Sequence, residues 1–195
     1  MSFQNNTKLE EKICDFFGSK YAILTDSCTH AIELALRHKK TTKAVSPFHT
    51  YISIPFTFEK LGIDWEFIDL EWRDYYYVTD DIIDAAVLWR KNSYIPGTLM
   101  CLSFQYKKHL SLGRGGAILT DSIDDYNILK PMSYDGRDPN VPWAEQNIKT
   151  IGYHYYMTPE TASLGLEKID KACNTTPKRW SYKDYPNLSK MEVFR

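Results

Sequence analysis

Cysteine is scarce in this 195-residue chain, and the four present, Cys14, Cys28, Cys101 and Cys173, form neither a Cys-x-x-Cys pair nor a compact disulfide pattern. A disulfide-stapled scaffold is therefore not expected. Long apolar runs are missing too, so no segment reads as a membrane span, and the polar opening from Met1 to Lys12 has no signal-peptide hydrophobic region. The expectation is a soluble, cytoplasmic protein of a reducing compartment. Excess charge is the third absence. A formal net charge of −1 gives no electrostatic reason to expect nucleic acid or an anionic membrane as partner. No internal repeat or low-complexity tract interrupts the chain.

What remains, 43% hydrophobic and 25% charged residues, suits one globular domain or a large domain with a small one. Short apolar strands alternate with helical patterns. Tyr21 to Thr25, Ala44 to Ser46, Trp65 to Ile68, Leu99 to Phe104 and Ala117 to Thr120 read as strands. Leu9 to Phe17, Thr29 to His38, Ile123 to Leu129 and Pro159 to Ala172 read as helices. This alternation predicts an α/β sheet layered by helices. Residues 1–173 form the predicted domain. Residues 174–195, polar and aromatic with two prolines, read as an irregular tail or docking arm.

Several segments carry potential chemistry. Lys108 follows the strand ending at Phe104 and precedes the turn Gly113-Arg114-Gly115-Gly116. A lysine fixed beside such a turn and desolvated enough to be neutral can attack a bound carbonyl; a solvated lysine beside a hairpin is the alternative. Ser27-Cys28-Thr29 lies where a strand gives way to a helix. Unpaired amides and hydroxyls there suit either a bound phosphate or simple capping. Asp84 ends the apolar stretch Ile82-Ile83, where a carboxylate needs a cationic partner if buried and none if it is a surface or capping residue.

The order Asp26-Ser27-Cys28-Thr29-His30-Ala31, Pro47-Phe48-His49-Thr50-Tyr51, Ile83-Asp84-Ala85-Ala86, Ser103-Phe104 to Lys108, and Gly152-Tyr153-His154-Tyr155-Tyr156-Met157 resembles the DegT/DnrJ/EryC1/StrS sugar aminotransferases from about Leu9 to Ile169. The resemblance implies a three-layer α/β fold with helices on both faces, the large domain of fold-type-I transferases that use pyridoxal 5'-phosphate (PLP). It is trimmed, with a shortened stretch between Asp69 and Asp84 and little or no C-terminal small domain. It also implies roles. Lys108 holds PLP as a Schiff base and shuttles protons, while Asp84 pairs with the pyridine nitrogen. Tyr51 stacks on the ring. Ser27, Cys28, Thr29 and Ser103 cradle the phosphate, and His154 reaches the phosphate of the partner subunit in a homodimer with shared sites. No metal is implied.

The implied substrates are an amino-acid donor, glutamate by family habit, and a keto sugar, nucleotide-linked by the same habit. Four departures from the family pattern stand out. Cys28 replaces a glycine, Val87 replaces a polar residue that contacts the ring hydroxyl, His154 replaces an asparagine, and Tyr156 replaces an arginine. The competing classes are a PLP-dependent sugar dehydratase, whose members commonly replace the lysine, a cofactor-binding or cofactor-free remnant serving as regulator or scaffold, and an unrelated α/β binding module.

Overall fold

The computed structural model describes residues 3–195. The first helix, α1 (Gln4–Phe17), stops at Gly18, whose φ of 82° lets its amide turn back onto Cys14 O. Then follow β1 (Tyr21–Thr25), α2 (Cys28–His38), β2 (Lys43–Pro47), α3 (Ser53–Leu61), β3 (Asp64–Ile68), β4 (Tyr76–Tyr77) and β5 (Ile82–Asp84). The second half holds β6 (Leu99–Ser103), β7 (Gly116–Thr120), α4 (Ile123–Met132) and α5 (Pro159–Cys173).

Five strands form one sheet in the order β1-β7-β6-β5-β4, in which only the β5–β6 pair is parallel. A second, parallel pair, β2–β3, is tied toward it by the Val45 amide, which donates to Val78 O at 3.0 Å. Strand alternation divides the apolar residues between two faces. Met100 and Leu102 pack with Leu9, Ile13 and Phe17 of α1 and with Ile169 of α5. Leu99 and Cys101 pack with Ala31, Ile32 and Ala35 of α2 and with Leu129 of α4. The three-layer arrangement follows directly.

The sequence reading omitted α3 because Pro55 and the surrounding β-branched and aromatic residues are poor helix signals. Pro55 is tolerated because it sits in the first turn, where amides lack intrahelical partners anyway. It also stopped the fourth helix at Leu129; the helix runs on to Met132, with Pro131 inside its last turn. The short strands β4 and β5 were not anticipated either.

The segment after Asn174 lies along its own chain. Tyr182 N donates to Trp72 O, Asp74 N to Trp180 O, and Leu188 N to Phe48 O, at 3.1, 3.0 and 2.8 Å. Leu188 is buried, and Phe194 meets Phe67 edge-on with ring centroids 5.2 Å apart.

Candidate functional site

Because β7 runs antiparallel to both β1 and β6, and β5 runs parallel to β6, strands β1, β5 and β6 all end at the same edge of the sheet. Their last residues, or those just beyond, are Ser27, Asp84 and Ser103. Ligands in α/β sheets bind outside the carboxyl ends of strands, where loops diverge. Here those ends border a cavity of about 490 Å³, within the usual ~300–1,000 Å³ for small-molecule sites.

Helix α2 begins at this cavity. Ser27 caps it, its hydroxyl accepting from the His30 amide at 3.2 Å and donating to Asp26 at 3.1 Å. The capping role anticipated for this segment is therefore occupied by Ser27, while Thr29 pairs its hydroxyl with Ser53 at 2.8 Å. Cys28 turns its thiol inward toward Cys101 O at 3.5 Å and joins the core beneath the sheet, so its side chain leaves the helix terminus open. The close approach is absorbed at Gly116, where a Cβ would lie 2.5 Å from the Ser27 and Cys28 backbone.

Asp84 is buried. Its Oδ1 accepts from the Ala86 amide at 2.9 Å and its Oδ2 from the Tyr76 hydroxyl at 2.6 Å. Burial pushes its pKa above the ordinary carboxyl value, with Tyr76, the Ala86 amide and the Lys108 charge pulling against that rise. It forms no salt bridge among the described residues, which leaves a buried acid facing a cavity without a cation in contact. Lys108 is half-buried and lines the same cavity. Burial lowers its pKa, opposed by the charges of Asp84 and Cys28 and helped by Lys107. The loop that carries it is pinned by buried Phe104, Leu110 and Leu112, and the Lys108 amide bonds Gln105 O at 2.8 Å. Lys107 is exposed, though it too borders the cavity.

Tyr51 stands at the rim with 61% of its surface exposed, and Ser103 and Val87 line the wall. His154 does not enter this cavity. It is solvent-exposed, paired with Asp135 at 2.8 Å, in a segment whose neighbour Tyr155 bonds the Asp26 amide through its carbonyl.

Several lining residues escaped sequence reasoning. Thr50 and Tyr76 are buried behind Asp84, and Trp180, Asp184 and Tyr185 come from the C-terminal segment. The Lys108 amine lies 5.4 Å from the Trp180 ring centroid, and Lys178, held by Asp184 at 2.7 Å, sits 3.7 Å over the same ring. The aromatic richness of that segment was the one signal available. A smaller cavity of about 260 Å³, on the His109 and Lys178 side, shares Lys108 and Trp180 with the first.

The family model described as the DegT/DnrJ/EryC1/StrS aminotransferase family matches residues 1–100 and 91–185. A curated relative from Pseudomonas aeruginosa, UDP-2-acetamido-2-deoxy-3-oxo-D-glucuronate aminotransferase, is 26% identical over 136 residues, 67% of this chain and 36% of its own length. Among solved structures, a Streptococcus pneumoniae protein in a PLP form superposes with a TM-score of 0.72 at 18% identity, covering 87% of this chain and 60% of that one. An aminotransferase involved in pseudoaminic acid biosynthesis in Helicobacter pylori gives 0.71 at 16% identity, with coverage of 87% and 58%. The chain thus spans about a third of the curated relative and about three-fifths of these structures.

Proposed function

Since the chain belongs to the DegT/DnrJ/EryC1/StrS aminotransferase family, we propose that its cavity binds PLP and transfers an amino group from an amino acid to a keto sugar. One observation carries the reading: an amine of lowered pKa, Lys108, and a buried carboxylate without a salt-bridge partner, Asp84, face one cavity. The donor set fits the cofactor. The α2 terminus with the Thr29 hydroxyl, joined by Ser103, offers donors for a phosphate, with Ser27 fixing that terminus through its cap, and Tyr51 offers an aromatic face at the rim.

When bound, PLP supplies an electron sink for the carbanion formed on the donor amino acid. Asp84 would hold a proton on the ring nitrogen by ion pairing. The Lys108 amine would take the proton from the donor's α-carbon and hand it back during the transfer. Trp180 and Tyr185 exclude water from the lysine side of the cavity. Glutamate as donor and a nucleotide-linked sugar as acceptor complete the proposal.

Purified protein mixed with PLP should gain the cofactor's visible absorbance, and borohydride reduction followed by peptide mapping should place the tag on Lys108. A tag confined to Lys107, or no tag, sinks the assignment. The second reading, a cofactor-binding regulator or scaffold, is favoured by Val87, which lines the cavity but whose side chain cannot offer a hydrogen bond. Glutamate-dependent loss of the PLP absorbance with formation of an amino sugar decides for the enzyme; tagging without either decides for the regulator.

The proposed assembly is a homodimer in which His154 reaches the partner's cofactor phosphate. Lys108→Ala and His154→Ala chains, each nearly inactive alone, should recover up to about a quarter of wild-type sites on random mixing, since one site of each mixed dimer carries neither lesion. Verified mixed dimers without recovery would rule out the shared arrangement.

A further inference from the structure

Tyr76 is a buried tyrosine whose hydroxyl has no role in the reading above. Register explains its position. Tyr76 pairs directly with Asp84 across the antiparallel β4–β5 ladder, so the two side chains share a face. Strand alternation turns the adjacent Tyr77 to the opposite face. On the far side, Thr50 Oγ1 lies 2.5 Å from the Tyr76 hydroxyl, and both residues are buried. An ionised carboxylate only accepts, so with Asp84 charged the directions are fixed. Thr50 donates to Tyr76, and Tyr76 donates to Asp84 Oδ2 at 2.6 Å.

Building on the PLP reading, we propose that Tyr76, oriented by Thr50, is the positioning residue that keeps Asp84 ionised and aimed before any cofactor arrives. A buried carboxylate without two donors would take up a proton, and a protonated Asp84 could not form an ion pair with a protonated ring nitrogen. The Ala86 amide supplies one donor to Oδ1, and the tyrosine supplies the other. Tyr77 cannot take its place, because it points outward and is 40% exposed. The device belongs to the short stretch between Asp69 and Asp84.

The other titratable groups around Asp84 are Lys108 from the β6–β7 loop, Cys28 of α2, Cys101 of β6 and Tyr185 of the C-terminal segment. Burial pushes the two thiols and the phenol upward, so they stay neutral across the acid range where a carboxyl titrates.

The test uses cofactor-free protein. Difference infrared spectra across pH follow the carboxyl band that Asp84→Asn removes. Tyr76→Phe keeps the ring and should raise the Asp84 midpoint by about one to two pH units, the worth of one hydrogen bond to a charged group. Thr50→Val should raise it by less. In the PLP-loaded protein, Tyr76→Phe should also weaken cofactor binding about ten-fold or more. An unmoved midpoint in folded Tyr76→Phe overturns the proposal. If that variant does not fold, an unmoved midpoint in Thr50→Val does so. Should the midpoint move in a protein that never takes up PLP, the cofactor reading falls and the Tyr76–Asp84 coupling stands.

Discussion

The cavity has two walls of different origin. Its floor is made by the ends of packed strands and the start of α2, whose side chains reach into both faces of the sheet's core. Its cover is the C-terminal segment, laid over the floor by a handful of backbone hydrogen bonds to residues 48, 72 and 74 and by ring contacts such as Trp72 with Tyr185, 5.5 Å between centroids. Groups on the floor inherit the stability of the whole domain. Groups on the cover are held only as firmly as the segment itself closes, which places them at the low-stability end of the molecule. The proposed acid–base pair, Asp84 and Lys108, stands on the floor side. The aromatic shielding stands on the cover.

Substitutions on each side can break this contrast. The largest effect is expected in the floor. Phe104→Ala should cost about 3–5 kcal/mol of global stability by emptying the core beneath the Lys108 loop, measured by denaturant unfolding. Leu188→Ala removes a comparably buried side chain from the cover, yet its loss is limited to the segment's own closure. Hydrogen exchange should quicken at the Tyr182 and Leu188 amides and stay unchanged in β6 and β7. Equal acceleration in the central strands would show that cover and floor open as one unit.

Next in size is Asp84→Ala in PLP-saturated protein. Losing a fixed charge aimed at the reacting system should slow proton abstraction from the amino donor about 10²–10³-fold, read in single-turnover spectra. An unchanged half-reaction would remove Asp84 from the chemistry.

The smallest effect crosses from cover to floor. Burial depresses the Lys108 pKa, so its neutral, reactive form becomes dominant at a lower pH than for an ordinary lysine. The rate of PLP trapping by the free protein should rise with pH and level off at that depressed midpoint. Trp180→Ala admits water beside the amine and should move the midpoint upward, by less than about one unit. A midpoint that stays put would mean that the floor alone desolvates Lys108.

Most of the floor was legible in the chain. The strands β1, β6 and β7 are short apolar runs with turn signals at their ends, and strands buried on both faces are mostly apolar. Lys108 and Asp84 were legible because each breaks such a pattern at a strand end. Helix α3 was not, since its proline and bulky residues argue locally against a helix that packing on β2 and β3 stabilises. Nor was Tyr76 distinguishable from Tyr75 and Tyr77. Three consecutive tyrosines look alike until a partner strand fixes which one faces inward.

Local pattern in the chain was enough for the layered α/β architecture, for strands β1 and β6 that end at the cavity and for the polar residues beyond the apolar runs there, because periodicity is a local property of the chain. Tertiary structure decided the rest. Cross-strand register matched Tyr76 to Asp84, core packing turned Cys28 away from the helix terminus, and long-range docking set Trp180 beside Lys108. Each of these joins residues from 8 to 73 positions apart, and a contact at such separation is fixed by how the elements pack rather than by the residues beside it.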